Sequence, residues 1–364
     1  MGNIGVYVHI PFCENKCPYC DFYSVKSDKT NIDRYTLALT EKICKWGKAL
    51  GRKADTLYFG GGTPSYIGAD RLAIIADSVK DSFGFENAEI TAEINPTKQD
   101  FDFEKLRKSG FNRISIGVQS ANDNELKMLG RLHNVNQSAL AIKKAQNVGF
   151  DNISLDLMIA TPLQTKESLE RSINFCAEHN VQHISAYILK VEEGTPYFKS
   201  KDLLNLPDDD GQAEMYLFAC EKLKEYGYNQ YEISNFAKEG FESRHNLKYW
   251  NDEEYIGIGS SAHSFINGKR FYYPRSIDDF MNDIYINDGE GGSEEEYVML
   301  RLRLAKGINN DEYKERFGHE IPEKYFKNAK KFLNTNYIIV DDNSIKLTTD
   351  GFLVSNALIT EILA

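Results

Sequence analysis

From Val6 to Leu189 the chain alternates short apolar runs with longer amphipathic stretches, the pattern of βα units that close a parallel sheet. Strand candidates are Val6 to Ile10, Thr56 to Phe59, Glu89 to Ile94, Arg113 to Val118, Ile153 to Ile159 and Ile184 to Leu189. Between them run helical patterns such as Arg71 to Phe83, where Leu72, Ile75, Val79 and Phe83 fall near one face. These repeats are fewer than the eight of a complete TIM barrel, so the expected fold class is α/β, an open partial (β/α)6 TIM-like barrel with a cleft along its unclosed side. Ligands of such sheets bind beyond the carboxyl ends of the strands, which makes the polar residues ending each strand the ones to inspect.

Beyond Leu203 the pattern changes. Asp208, Asp209 and Asp210 open a helix running to about Glu225, with carboxylates at the positive end of its dipole. Short aromatic strand-like pieces follow, and Asn287 to Glu296, with Gly289, Gly291, Gly292 and several acidic residues, reads as an exposed linker. Helices around Tyr297 to Leu304 and Glu323 to Leu333 then precede two short strands, Tyr337 to Val340 and Ser344 to Leu347, joined through Asp341, Asp342 and Asn343. The expected organisation is a barrel core over residues 1–200, an extension over 201–286 and a winged-helix-like α+β domain over 287–364. There is no internal repeat of fixed period and no low-complexity tract.

Composition narrows the partners. Hydrophobic residues at 41% and charged residues at 27% are ordinary globular values, but the formal net charge is −11 with no long basic run to offset it. That balance repels phosphate backbones and anionic lipid, so neither nucleic acid nor a membrane surface is expected as a partner. No run of apolar residues is long enough to span a bilayer, the start of the chain lacks the features of a secretion signal, and Val6 stands where a myristoylation motif wants Ser or Thr. The expected compartment is the cytosol.

Six cysteines are too few for a disulfide scaffold in a chain of 364 residues. Cys44, Cys176 and Cys220 stand alone in helical patterns and read as small buried hydrophobes. Cys13, Cys17 and Cys20, by contrast, sit on one loop just after the first strand. Three thiolates suit a 4Fe-4S cubane in which three irons take cysteine and the fourth stays open. An open iron can chelate the amino and carboxylate groups of S-adenosylmethionine (SAM), so that an electron entering the cluster can cleave the sulfonium C–S bond. The competing metal is structural zinc, which needs a fourth ligand, for which His9 is the nearest candidate.

The loop, with Tyr7 before it and Asp21 and Phe22 after it, resembles the radical SAM superfamily, and within it the family of oxygen-independent coproporphyrinogen III oxidase and the HemW-type haem chaperones. The resemblance covers essentially the whole chain. It implies a 4Fe-4S cluster on the three cysteines, with SAM beside it. Gly60-Gly61-Gly62-Thr63-Pro64, at the end of the second strand, would alone be a tight turn; next to the cysteine loop it resembles the family's glycine motif, which holds the amino group of SAM. Glu93, Gln119 and Asp156 end further strands and Arg131 follows the helix after the fourth. Each alone would be a solvated charge or a local cap more often than a ligand. Their places match the family pattern, which implies carboxylates on ribose hydroxyls, an amide on ribose or adenine and a guanidinium on the SAM carboxylate. The family also uses the position of Tyr19, whose backbone lies near adenine.

His245-Asn246-Leu247-Lys248-Tyr249-Trp250 is the remaining informative run. An imidazole can ligate haem iron and neighbouring aromatics can cover a porphyrin face, although a lone His beside aromatics more often packs or hydrogen-bonds. The string resembles the His-Asn-x-x-Tyr-Trp motif of the chaperone branch. Gly257-Ile258-Gly259 imitates a dinucleotide fingerprint, but Ser264 to Tyr273, with Asn267-Gly268 in its middle, reads as a hairpin, so the βαβ context is missing and NAD binding is rejected. The resemblance makes that glycine string a loop bordering the cleft. The oxidase branch carries a further cysteine two positions after the third, where this chain has Phe22, and a longer extension before its first strand, where here only 12 residues precede Cys13. The implied function is that of a haem chaperone, with haem or a porphyrin, a reductase or flavodoxin-like electron donor and a haem-accepting protein as partners. The alternative is radical SAM decarboxylation of coproporphyrinogen III.

Overall fold

The structure is a computed structural model that describes residues 2–96 and 101–364. Six strands follow one another in parallel register: β1 (Ile4–Ile10), β2 (Ala54–Gly61), β3 (Phe85–Ile94), β4 (Arg113–Gln119), β5 (Ile153–Ile159) and β6 (His183–Ile188). The expected strands all form, and they build the open partial barrel of a TIM-like fold.

Parallel strands covered on both faces normally read as continuous apolar runs. Here they alternate. Ile90, Ala92 and Ile94 of β3, Ile114, Ile116 and Val118 of β4, and Ile153, Leu155 and Leu157 of β5 join helix residues such as Leu39, Ile75, Ile142 and Ile173 in one large core. Each of the larger aliphatic side chains among them contributes about 1.5–3 kcal/mol by leaving water. The intervening positions, Glu89, Thr91, Glu93, Arg113, Ser115, Ser154, Asp156, His183 and Ser185, point the other way, and some bond to one another across strands, as in Ser115 to Asp156 at 2.9 Å and Ser154 to His183 at 2.7 Å. The barrel therefore has a polar lumen inside an apolar jacket.

The helices of the jacket stop where their sequences direct. Asp28 caps the helix Lys29–Leu50 by accepting from the Asn31 amide, and Gly51, at φ +59°, ends it in the left-handed conformation. Asn134 and Gln137 form a capping box at the start of Val135–Asn147. The acidic start at Asp208 caps the helix Asp209–Glu225, as its charge pattern predicts.

After that helix come β7 (Asn229–Glu232), β8 (Asn235–Ala237), β9 (Tyr255–Ile258), β10 (His263–Ile266), β11 (Lys269–Tyr272) and β12 (Ile286–Glu290). The sheet order is β12-β11-β10-β9-β1-β2-β3-β4-β5-β6-β8-β7. β10 and β11 form the expected hairpin, with Asn267 at φ +51° and Gly268 at φ +72° in its turn. Two results differ from expectation. The glycine string is not simply a loop: Tyr255–Ile258 is a strand lying parallel to β1, where Gly257 lets the His263 carbonyl come within 2.1 Å of the place a Cβ would take. The segment expected as a linker is exposed, yet its first residues pair with β11 as an edge strand. The main core runs from Ile4 to Phe280 and so joins residues on both sides of position 200.

A second core, from Tyr297 to Ile362, holds the C-terminal α+β region. There β13 (Ile308–Asn309), β14 (Ile338–Val340) and β15 (Ser344–Leu347) form an antiparallel sheet in the order β13-β15-β14. Asp341 shapes the β14–β15 turn by accepting from the Asn343 and Ser344 amides.

Candidate functional site

The cysteine loop leaves the carboxyl end of β1 and is closed at its neck. The Val25 amide donates to the Pro11 carbonyl at 2.8 Å and the Cys13 amide to the Val25 carbonyl at 3.2 Å. Between these pins the Cys20 amide donates to the Cys17 carbonyl at 3.1 Å. All three cysteines are free thiols. Cys13 Sγ lies 3.3 Å from Thr63 Oγ1, and Arg131 Nη1 donates to Cys17 Sγ at 3.6 Å. The Cys20 thiol is held above its usual range chiefly by burial, with the charges of Cys17 and Cys13 adding to it, so the three sulfurs share one environment.

This donor set fits a cluster better than zinc. His9, the candidate fourth zinc ligand, has both ring nitrogens engaged, Nδ1 with the Tyr7 hydroxyl at 3.1 Å and Nε2 with the Tyr23 carbonyl at 3.2 Å. Three thiols without a fourth protein ligand match a cubane with one open iron.

The glycine motif comes close to this loop. The Gly62 amide donates to the Ile10 carbonyl at 2.8 Å and the Thr63 amide to the Phe12 carbonyl at 2.9 Å, tying the end of β2 to the root of the cysteine loop. A Cβ on Gly62 would lie 2.9 Å from both of those carbonyl oxygens, and Gly61 takes φ +107°, so both positions need glycine. Asn95, just past β3, donates from Nδ2 to Thr63 Oγ1 at 3.4 Å and accepts from Arg131 Nη2. Arg131 also donates to the Gly117 carbonyl at 2.9 Å, while its Nε has no partner. Gln119 ends β4 at φ +67°; a Cβ on Gly117 would touch both Gln119 Nε2, at 2.9 Å, and Arg131 Nη2, at 3.1 Å. A cavity of about 180 Å³ opens beside Cys17, Thr63, Asn95 and Arg131.

Deeper in the lumen, the Tyr58 hydroxyl donates to Glu93 Oε1 at 3.0 Å. Burial, followed by the charge of Asp156, pushes the Glu93 carboxyl up to about 8, so it holds a proton at neutral pH. Burial also raises Asp156, against the pull of hydrogen bonds from Ser115 and Ser185. Tyr7 stacks on Tyr58 with ring centroids 6.3 Å apart, and Tyr19 packs tilted against Tyr197 at 6.2 Å. Gln119 and Arg131 thus lie at the mouth beside the glycine motif and the cysteine loop, whereas Glu93 and Asp156 lie deeper in the lumen, Asp156 in the middle of β5 instead of at its end. Tyr58, Asn95 and Ser115 bond to these residues and were not singled out, and His9 was considered only as a zinc ligand. The period-two alternation that puts them on the lumen face was their signal.

His245 lies at the opposite end of the strands. It is 1% exposed, on the helix Arg244–Trp250, whose first amides are capped by the Glu89 carboxylate at 3.2 Å (Arg244) and 3.1 Å (His245). Its Nδ1 bonds to Thr56 Oγ1 at 2.7 Å and its Nε2 to the Tyr249 hydroxyl at 2.8 Å. The ring stacks on Tyr58 at 5.3 Å, and burial, with Lys248 and Arg113 adding, pushes its pKa down to about 3. Lys248 of the same helix pairs with Asp55 and Glu253, each at 3.0 Å. The helix closes the base of the barrel, and in this conformation neither His245 nitrogen is open.

A first-strand loop of three free thiols above a polar lumen makes this a radical SAM protein. Residues 7–176 match the Radical SAM superfamily and residues 295–354 the HemN C-terminal domain. The fold is that of coproporphyrinogen III oxidase (HemN) from Escherichia coli, with a TM-score of 0.85 and 22% identity over 99% of this chain and 90% of that one. The chain is 34% identical to the heme chaperone HemW of Bacillus subtilis, over 97% of each, and 35% identical to that of Escherichia coli, over 85% of each. It belongs to the HemW family. Among the described residues no helix is long and apolar enough to cross a membrane.

Proposed function

We propose that the chain is a haem chaperone that binds haem, carries a 4Fe-4S cluster and SAM, and passes haem to an acceptor protein. The observation that carries this reading is the near full-length similarity to proteins named heme chaperone HemW. Phe22, 68% exposed, supports it by standing where the oxidase branch has a further cysteine.

On this reading Cys13, Cys17 and Cys20 hold three irons and leave the fourth to SAM. The backbone of Gly61, Gly62 and Thr63 receives the SAM amino group, and Arg131, with a free Nε, faces its carboxylate. Glu93 and Asp156 meet ribose hydroxyls, Gln119 meets ribose or adenine, and the backbone at Tyr19 borders adenine. Tyr7 lies beneath, holding His9 toward the root of the loop. When bound, the cluster and SAM supply one-electron cleavage of a sulfonium C–S bond, which calls for a reductase or flavodoxin-like donor. The cytosol is the compartment that suits such a cluster and donor.

Haem takes an imidazole from His245 only if that ring gives up Thr56 or Tyr249. The test is a haem titration of anaerobically reconstituted wild type and His245→Ala. The expected result is about one haem per chain for wild type with a shifted Soret band, and weakened binding for the variant, with iron–sulfur content retained. Equal haem binding by both proteins, alongside consumption of coproporphyrinogen III by wild type, would replace this reading with the oxidase.

A further inference from the structure

Glu125 belongs to neither the cysteine loop nor any strand end, yet it is 0% exposed. It lies on the short helix Asp123–Met128 that follows β4. Its Oε2 accepts from the Ser120 hydroxyl at 2.7 Å and from Gln164 Nε2 at 3.3 Å, both neutral donors, and its Oε1 has no partner. A carboxyl group is costly to place in such a spot, so its presence needs a reason.

The two donors supply one. Ser120 is the residue next to Gln119, and its hydroxyl also accepts from the Asn122 amide at 3.0 Å. Gln164 belongs to the loop after β5: its Oε1 accepts from the Ala160 amide at 2.7 Å and its Nε2 also donates to the Met158 carbonyl at 2.9 Å. One buried carboxyl therefore ties the end of β4 to the end of β5. Those two ends are strained. Gln119, Ala160 and Leu163, none of them glycine, sit at φ +67°, +59° and +68°, and the β4–β5 register shifts between Ile116 and Gln119. Such conformations persist only where surrounding contacts over-determine them.

We propose that Glu125 is a positioning residue for SAM: through Ser120 and Gln164 it holds Gln119 on one strand and the end of the Asp156 strand in the geometry that grips the nucleoside. This rests on the reading that Gln119 and Asp156 hold SAM. Glu125 itself, fully enclosed, touches no ligand. Glu125→Ala leaves the Ser120 hydroxyl without its acceptor and Gln164 bonded only to Met158 and Ala160 of its own segment, so the tie between the two strand ends is cut, whereas Glu125→Gln keeps an oxygen acceptor in nearly the same place.

The experiment is equilibrium SAM binding to the reconstituted full chain, well below its melting temperature, with iron content and the SAM-induced change in the reduced-cluster electron paramagnetic spectrum read on the same samples. Glu125→Ala is expected to raise the Kd for SAM about tenfold and to blunt the spectral change with iron content intact. Glu125→Gln is expected to stay within about threefold of wild type, and the milder Ser120→Ala to fall between them. Leu358→Ala, in the C-terminal core, provides a variant of lowered melting temperature whose SAM affinity should not move. Wild-type affinity in both Glu125→Ala and Ser120→Ala would overturn the proposal, as would an equal loss in Leu358→Ala; if Glu125→Ala does not fold, Ser120→Ala decides. Gln119→Ala and Asp156→Asn test the underlying reading separately. If neither weakens SAM binding, that reading fails and this one with it; if both do and the Glu125 and Ser120 variants do not, the clamp alone is wrong.

Discussion

The two ends of the barrel lumen are built from the same alternating strands and do opposite things with their polar groups. At the base, His245 uses both ring nitrogens, Glu89 caps a helix and Lys248 bridges two carboxylates. At the mouth, three thiols stay free, Arg131 leaves Nε without a partner, and Gln119 holds a left-handed backbone. A polar group satisfied within the protein stabilises the fold; one left waiting is available to a ligand. The base is not fully satisfied either, since Asp55 Oδ1 and Arg113 Nε and Nη1 lack partners there; what sets the mouth apart is that its unpartnered Arg131 Nε lies beside three clustered thiols and a cavity.

The sharpest break of that comparison is at the cysteines. Cys17→Ala should abolish the cluster, taking reconstituted protein from about four irons per chain to almost none by iron and sulfide analysis. The apo-protein should melt within about 0.5 kcal/mol of wild type, because the thiol is only half-buried. Retained iron in the variant would refute the ligand assignment.

His245→Ala is the mirror image. Losing two hydrogen bonds and a stacked ring at a buried site should cost about 2–4 kcal/mol in denaturant unfolding, with full iron content. A loss of iron without a loss of stability would mean that the base is not the closed plug its contacts describe.

Gly62→Ala probes where the ends meet least. The added methyl group would press on the Ile10 and Phe12 carbonyl oxygens, displacing the glycine motif from the cysteine loop. SAM should bind about tenfold more weakly, read from the reduced-cluster spectrum. An unchanged affinity would remove that motif from the site.

The effect confined to one range of pH sits midway along the lumen. Glu93 is raised from 4.5 to about 8 in the folded protein. Its contribution to apo-protein stability is therefore fully present below about pH 4.5 and is lost as pH rises through about 8, because the unfolded carboxyl ionises first. Glu93→Gln cannot ionise, so its stability relative to wild type should rise by about 3–4 kcal/mol between about pH 5 and pH 8. A pH-independent difference would mean that Glu93 is ionised in the fold.

Much of this was legible in the chain itself. The six strands of the barrel appear where apolar runs are long and bounded by turn residues, and the cysteine loop announces itself by spacing. β9 does not: Tyr255–Ile258 is too short and glycine-interrupted for a period to show, and its strand state comes from the edge of β1. The His245 string reads as a ligand cluster because composition names its aromatics but not its partners. Thr56 and Glu89, which engage it, lie on strands distant in sequence. Glu125 is similarly silent, since nothing near it in sequence distinguishes a buried clamp from a solvated helical glutamate.

The pairing of β1 with β9 sets a timetable for the newborn chain. Val6 finds its neighbour on one side in Leu57, but on the other only in Ile256, so the strand that leads into the cysteine loop keeps an open edge while most of the polypeptide is still being made. At ribosomal speeds that exposure lasts on the order of ten to fifty seconds. During it the unpaired amides and carbonyls of β1 form a template for stray strands of other chains. The last parallel partner of the barrel therefore also ends the period in which the nascent protein is most prone to aggregate, and a chain released before Tyr255 would leave the ribosome with that edge permanently bare.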